Sequence, residues 1–447
     1  MSLFRGELVV VVGFGASGRA AAEVLAGEGA RVRVTESRPL ADLGEVPDGI
    51  EVRSGSHRPE DLDGASLVVA SPGVSESAPI LRWAQEQGLP VWSELELGAR
   101  LCRVPYCAVT GTNGKTTTTE MLAAIMRAAG RSAVACGNVG HPFSLAAREE
   151  HDALAVEASS FQLRFQESLR PRVSVLLNVA PDHLDWHGSF EAYAAAKARI
   201  YAGQGSVDVH VGNRDDPEAE GISKAAPCEV RWFRWGRPEE AQEVGVLEGA
   251  IVDGRGRTLA RPAFVARPFL ADAAAAAAAA LAFGLPPDAI GDALARFEPL
   301  PHRGTVVARA GGVRFVDDSK ATNPHAALAA LDGLTDVVLI AGGLSKGVDL
   351  TPLVSAAPSL SAIVAIGEAA PSLARLFRGR VRVSIAERIE EAVEMAFGEA
   401  GSDGTVLLAP ACASQDMFRD YRERGDRFAA AARRVAARAA QPRRSHA

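Results

Sequence analysis

The chain has 447 residues, nearly half of them apolar, and a formal net charge of −7, which is length for about three domains. The acidic balance argues against nucleic acid as the main partner and leaves no basic face for a membrane, and no apolar run approaches the roughly 20 residues that a spanning helix needs. Five scattered cysteines (Cys102, Cys107, Cys136, Cys228 and Cys412) include no C-x-x-C pair, which argues against a disulfide frame or a zinc site and for free thiols in a reducing cytoplasm.

The opening "MSLFRGELVVVV" reads as a first strand and not a leader, because a glycine turn follows at once and no small-residue cleavage site precedes it. The strand runs into Gly13-x-Gly15-x-x-Gly18, a helix follows, and a second strand ends at Glu36. Taken alone, that is a dinucleotide-binding fingerprint with an acid where a ribose would sit. "VPYCAVTGTNGKTT" starts a fresh strand-loop-helix, which places a domain boundary near residues 94–103. Gly111-Thr112-Asn113-Gly114-Lys115-Thr116-Thr117 gives glycines that let backbone N–H groups approach phosphate. Lys115 suits the β/γ-phosphates and Thr116 suits Mg²⁺. Val109 stands where the strict phosphate-loop motif has its first glycine.

Further along, Glu157 closes the strand "DALAVE", and "NVAPDHLDWH" ends another with Asp182, His183, Asp185 and His187. Strand ends are where ligands gather in open α/β sheets. His183 and His187 have i, i+4 spacing but lack the glutamate of a metalloprotease pair. His183 is therefore read as a metal or substrate contact and His187 as structural. Residues 236–268 read as an irregular Gly- and Pro-rich patch. The alanine tract beyond it, bounded by Gly284 and Pro286, reads as a close-packed helix. "LARFEPLPHR" is a linker to a third α/β unit that starts at "VRFVDDSKATNP" and closes in a frayed, arginine-rich helix. Only five of 48 basic residues are lysine: Lys115, Lys197, Lys224, Lys320 and Lys346. Four of them fall in the stretches singled out here, where a compact ammonium would serve better than a guanidinium. Strands alternating with helices throughout predict an α/β fold with parallel sheets.

"TGTNGKTT", "EASSFQL", "NVAPDHLDWHGSFEAYAAAKARIY", "PHR", "DDSKATNP" and "APACASQDMF" stand in the order and approximate spacing of the Mur ligases. The chain resembles that family, which adds amino acids one at a time to the peptidoglycan precursor, over essentially its whole length. "SPGV" near residue 71 and "DSKATN" near residue 320 look like the D-glutamate-adding branch. The resemblance implies three domains: a Rossmann-like UDP-sugar-binding domain at 1–95, a central P-loop ATPase-like domain at 96–298, and a Rossmann-like amino-acid-binding domain at 299–447. A cytoplasmic monomer is expected.

By the same resemblance the first glycine loop cradles a UDP diphosphate, with Ala16, Ser17, Glu36, Ser37, Arg38 and Ser71 on the nucleotide; a strand-end glutamate serves a uracil or ribose donor as well as an NAD ribose. Gly111 to Thr117 would bind ATP, and Thr116, Glu157 and His183 would ligate two Mg²⁺ ions. Lys197 would join them as a CO₂-derived carbamate. Asn138, Ser159, Gln162 and His183 would line the muramoyl group of UDP-N-acetylmuramoyl-L-alanine. Lys115, Glu157, His183 and Lys197 would carry the catalysis. Arg303 and Asp318 would hold the nucleotide, and Lys320, Thr322, Lys346, Ser414 and Tyr421 would surround D-glutamate. ATP would phosphorylate the substrate carboxylate, and the amine of D-glutamate would attack the acyl phosphate.

Two places depart from the family pattern. "PFLAD" puts Phe269 and Asp272 where asparagines contact adenine, and Thr305 replaces a common glutamate after Pro301-His302-Arg303. The alternatives are a sister Mur ligase, a folate polyglutamate synthase, a silent nucleotide-binding regulator, and an NAD(P) oxidoreductase, the last of which leaves Lys115, Glu157 and Lys197 unexplained.

Overall fold

The computed structural model describes residues 4–440 except Val139 and Val265. It is a three-domain α/β architecture built on three sheets. β1 to β5 (Leu8–Val12, Arg31–Glu36, Ile50–Ser54, Leu67–Ala70, Val91–Ser93) form an all-parallel sheet in the order β3-β2-β1-β4-β5. β1, "LVVVV", is buried along its whole length. Val9 and Val11 face one core with Phe14 and Leu25, and Val10 and Val12 face the other with Ile80 and Leu81. This two-sided burial is why a central parallel strand reads as an unbroken apolar run.

The second sheet takes β6 to β14 (Tyr106–Thr110, Ala133–Gly137, Ala153–Glu157, Val173–Leu176, Val209–Asn213, Glu229–Trp235, Val244–Leu247, Ala250–Asp253, Thr258–Ala260) in the order β14-β13-β12-β11-β10-β9-β6-β8-β7. Its last three strands correct the expectation of an irregular patch. β12, β13 and β14 extend the sheet as an antiparallel meander, and its first turn, Glu248-Gly249, has positive φ at both residues, as a two-residue hairpin turn requires. The alternation in "VGVLEGAIVDGRGRTLA" carried that signal. The alanine tract lies in the helix Arg267–Phe283, where Ala273 to Ala280 are buried.

The third sheet takes β15 to β20 (Thr305–Ala310, Val313–Asp317, Val337–Gly342, Leu360–Ile366, Arg382–Ile385, Thr405–Leu408) in the order β15-β16-β20-β17-β18-β19, parallel except for the β15/β16 pair. The closing helix is Tyr421–Ala439; any fraying of residues 441–447 lies outside the described residues. By compactness the chain divides into two units. Met1–Val179, Trp186–Ala263 and Leu270–Phe297 form the first, and Ala180–Asp185, Phe264–Phe269 and Glu298–Ala447 the second. Among the described residues no helix is long and apolar enough to cross a membrane.

Candidate active site

Apart from Arg303, which immediately precedes β15, the predicted site residues lie at or just beyond the carboxyl end of a parallel strand, or on the helix or loop that follows it. In the first sheet β1 sits between β2 and β4, so the loops after all three converge. Gly18 packs so tightly that a Cβ there would stand 2.0 Å from the Gly13 carbonyl oxygen. That carbonyl accepts from Ser71 Oγ at 3.0 Å. Ala16 and Ser17 open a helix whose first turn has no side-chain cap, so its N–H groups are offered to an anion. Glu36 is buried with both oxygens engaged. Phe14 N donates to Oε2 at 2.8 Å, as does Arg38 Nη2 at 2.9 Å, while Arg38 N and Ser37 Oγ donate to Oε1 at 3.1 and 3.2 Å. Burial would raise its pKa, but the bonds from Arg38 and Phe14 outweigh burial and hold it down at about 2.

In the second sheet β6 lies between β8 and β9, which brings Gly111 to Thr117, Glu157 and the segment after Leu176 together. Gly114 has φ 84° and caps the helix Lys115–Ala128, a conformation that costs any residue with a Cβ. Lys115 Nζ donates to the carbonyls of Gly111 and Thr112, each at 2.9 Å. Asn178 Oδ1 accepts from Asn113 N at 2.8 Å, and Thr112 Oγ1 lies 3.0 Å from the Tyr193 hydroxyl. Thr116 and Thr117 sit in the helix's first turn.

Lys197 is fully buried beside this loop. Its Nζ donates to the Gly111 carbonyl at 2.6 Å and lies 4.5 Å from the centre of the Tyr193 ring. Glu157 accepts from Asn138 Nδ2 on Oε1 at 3.0 Å, and its Oε2 is buried without a hydrogen-bond partner. Ser159 and Gln162 cap one short helix reciprocally, leaving Gln162 Nε2 buried and unpartnered. His187 stacks on Phe161 and bonds Ser160 Oγ at 2.9 Å, a structural histidine as read.

The second unit holds the remaining candidates: His183, Arg303, Asp318, Lys320, Thr322, Lys346, Ser414 and Tyr421. β20 is inserted between β16 and β17, so the loops carrying Lys320 and Thr322, Ser414, and Lys346 follow three adjacent strands. The Lys320 ammonium lies 4.2 Å from the centre of the Tyr421 ring. His183 and Lys346 both have positive φ, 53° and 51°, a strained conformation that gathers at functional sites. Asp182 Oδ2 accepts from Asn323 Nδ2 at 2.9 Å. Burial pushes the Asp318 carboxyl up to about 7, against the pull of Arg303 and with the push of Asp317. Ser414 Oγ is buried without a partner. Phe269, at a departure from the family pattern, packs against Phe264 and beside Gly304, and Asp272 stands against Gly114.

Sequence reasoning missed three residues that hydrogen-bond neighbouring loops. Asn178 opens the quoted "NVAPDH" and braces the phosphate loop. Glu96, in "SELELG", is buried and accepts the backbone N–H groups of Glu167 and Ser168. Arg424 is buried among the loops of the third sheet; nothing local in the sequence distinguishes it from surface arginines. Among the described residues no three His, Cys, Asp or Glu side chains form a ready metal cage. A Mg²⁺ ion would therefore draw on Glu157, hydroxyl groups and substrate phosphates, and the unpartnered Glu157 Oε2 is the oxygen such an ion needs.

Three family models match in succession: the Mur ligase MurD-like N-terminal domain at residues 7–93, the Mur ligase middle domain at 109–249, and the Mur ligase glutamate ligase domain at 302–412. A UDP-N-acetylmuramoylalanine–D-glutamate ligase of Frankia casuarinae is 45% identical over 96% of this chain and 94% of its own. Its namesake from Mycobacterium tuberculosis is 39% identical over 96% of each. Among solved structures, the UDP-N-acetylmuramate–alanine ligase of Thermotoga maritima superposes with a TM-score of 0.62 at 17% identity, covering 96% of this chain and 99% of that one. A MurF ligase of the same organism in complex with ADP gives 0.60 at 17%, covering 97% of each.

Proposed function

Since the chain belongs to the Mur ligase family, on its D-glutamate-adding branch, we propose that it is the ATP-dependent ligase that joins D-glutamate to UDP-N-acetylmuramoyl-L-alanine in cytoplasmic peptidoglycan precursor synthesis. The single observation that carries the chemistry is the cluster at the end of β6: a glycine loop with Lys115, a buried Lys197 on the Gly111 carbonyl, and a buried Glu157 with one unpartnered oxygen. Residues 1–95 take the UDP-sugar on the Gly13–Gly18 loop with Ser71, Ser37 and Arg38. Residues 96–298 take ATP on Gly111–Thr117. Residues 299–447 bring D-glutamate to Lys320, Thr322, Lys346, Ser414 and Tyr421, with Arg303 and Asp318 on the nucleotide.

A carboxylate attacking a triphosphate meets strong charge repulsion, and cations placed where charge develops lower that barrier. Lys115 supplies one. Bound Mg²⁺, held by Thr116 and Glu157, would supply Lewis-acid charge to the phosphoryl oxygens. The Lys197 amine fits the carbamate role: as a neutral amine it adds one CO₂ and loses one proton, turning a buried cation into a carboxylate-like ligand. The carboxyl of the muramoyl-alanine displaces ADP from the γ-phosphorus. The D-glutamate amine then attacks the acyl carbon, phosphate leaves, and a proton is lost to give the amide. Lys320 and Lys346 balance the two carboxylates of the acceptor, and the N–H groups opening the Ala16–Gly27 helix face the diphosphate. The chain acts as a monomer.

Phosphate release from ATP tests this with UDP-N-acetylmuramoyl-L-alanine and, in turn, D-glutamate, L-glutamate, L-alanine or no acceptor. Release that needs both the sugar nucleotide and D-glutamate is expected. Release with another acceptor would move the chain to a sister ligase, and none at all would point to a silent nucleotide-binding protein.

A further inference from the structure

Arg424 is the largest fully buried side chain among the described residues, and an arginine so placed needs a reason. Among the described residues no carboxylate pairs with it. Its guanidinium instead spends its donors on the backbone and one hydroxyl: Nε to Ser319 Oγ at 3.0 Å, Nη2 to the Ser319 carbonyl at 2.8 Å, and Nη1 to the carbonyls of Cys412 at 3.1 Å and Ala413 at 3.4 Å. The Ser319 hydroxyl in turn donates to the Tyr421 carbonyl at 2.7 Å.

These bonds reach every segment that carries a proposed acceptor contact. Ser319 directly precedes Lys320 in the loop after β16. Cys412 and Ala413 directly precede Ser414 after β20. Ala413 exchanges backbone bonds with Leu344, two residues before Lys346. In that same loop, a Cβ on Gly343 would stand 2.2 Å from the Ala413 carbonyl oxygen and 3.4 Å from Arg424 Nη1. Tyr421 begins the helix that bears Arg424 itself. A guanidinium is a rigid planar fork, and its donors fix the relative positions of separate carbonyls in a way that a lysine ammonium does not. Leaving those carbonyls without donors would cost each loop its register.

We infer that Arg424 is a positioning residue for the amino-acid acceptor, the strut that sets Lys320, Ser414, Lys346 and Tyr421 at one spacing so that they match the two carboxylates of the acceptor. It touches no substrate. The inference rests on the acceptor reading above.

Steady-state kinetics of Arg424→Lys and Ser319→Ala test it, with each of the three substrates varied in turn and the melting temperature recorded. For Arg424→Lys, KM for D-glutamate is expected to rise roughly 10- to 100-fold, as loss of charge-assisted hydrogen bonds implies, with KM for ATP and for the UDP-sugar within about twofold. Ser319→Ala, which removes one hydroxyl from the same network, should show a smaller rise with the same selectivity. A rise in all three KM values in step with a falling melting temperature would overturn the inference, as would a folded Arg424→Lys with wild-type KM for D-glutamate. If Arg424→Lys does not fold, Ser319→Ala decides: a selective rise supports the strut, and an unchanged KM refutes it. Wild-type protein that does not turn over D-glutamate at all would instead defeat the acceptor reading itself.

Discussion

Two glycines three residues apart in the first loop separate what the protein needs from what its ligand needs. A methyl at Gly18 would lie 2.0 Å from the Gly13 carbonyl oxygen and 2.7 Å from Ser71 Oγ. An ordinary C···O contact is about 3.3 Å, so the carbonyl would have to retreat by roughly 1.3 Å. It has little freedom to do so, because it accepts from Ser71 Oγ and the Gly13 amide is bonded to the Thr35 carbonyl. Gly18→Ala should therefore cost about 1–3 kcal/mol of stability as overpacking. It should also lower kcat/KM for the UDP-sugar on the order of 100-fold, since a misplacement of about 1 Å has that effect. At Gly15 a methyl meets nothing within 4 Å, and φ is −78°, so Gly15→Ala should change stability by less than about 1 kcal/mol. If a diphosphate lies against this loop, the same methyl intrudes on it, and KM for the UDP-sugar should rise about tenfold or more while KM for ATP stays put. Urea unfolding and steady-state kinetics on the two variants provide the measurement. A Gly15→Ala protein with unchanged KM for the UDP-sugar would refute the assignment of the diphosphate to this loop.

Three further outcomes are expected. The Glu36 carboxylate has its folded pKa held at about 2 against an ordinary 4.5, so its contribution is present above pH 4.5 and lost as pH falls through 2. Glu36→Gln should cost about 1 kcal/mol at pH 7 after allowance for solvent screening and nothing near pH 2, read by denaturant unfolding at both ends. Asp318 is shifted the other way, to about 7 from 3.8. Stability tied to its neutral form is fully present below pH 3.8 and lost as pH rises through 7, and Asp318→Asn should flatten the wild-type decline in melting temperature between about pH 4 and 7. Lys197→Arg keeps a cation but cannot take up CO₂. Its kcat should fall at least about 100-fold with KM for ATP little changed, because the loss is of transition-state charge stabilisation; intact-protein mass measured at raised bicarbonate should show a 44 Da adduct on wild type only, the mass of one added CO₂.

Local signals carried most of the fold and supplied the candidate residues that the structure gathers at its strand ends. β1 and β6 were legible because a buried parallel strand must be a short apolar run, and because a glycine turn must follow when a helix start is to meet phosphate. The alanine tract was legible because eight consecutive alanines have one strongly preferred backbone state. The meander β12–β14 was overlooked because its glycines and prolines outweighed a short alternation, although Glu248-Gly249 carried the turn chemistry. Glu36 was legible as a strand-end acid beside the first glycine loop. Its engagement with Phe14 N and Arg38 was not, because that depends on how the first two strand-end loops are folded against each other.

The hardest feature to read was the insertion of β20 between β16 and β17. Chain order suggests that β17 should neighbour β16, since consecutive parallel strands usually do. Instead the last strand of the sheet enters the gap, pairing Arg314 through Asp317 with Thr405 through Leu408 on one side and Val337 through Ile340 with the same four residues on the other. That register brings "ACAS" between "DSKATN" and "GGLSK", stretches separated by up to about ninety residues of chain. Each motif could be recognised alone. What makes them neighbours is a long-range strand choice, and the residue that bonds the resulting loops, Arg424, lies on the following helix, where composition makes arginine unremarkable. A side chain whose partners are mostly backbone carbonyls leaves no trace in the identity of its neighbours. Positioning residues of this kind are therefore found only once the sheet order is known.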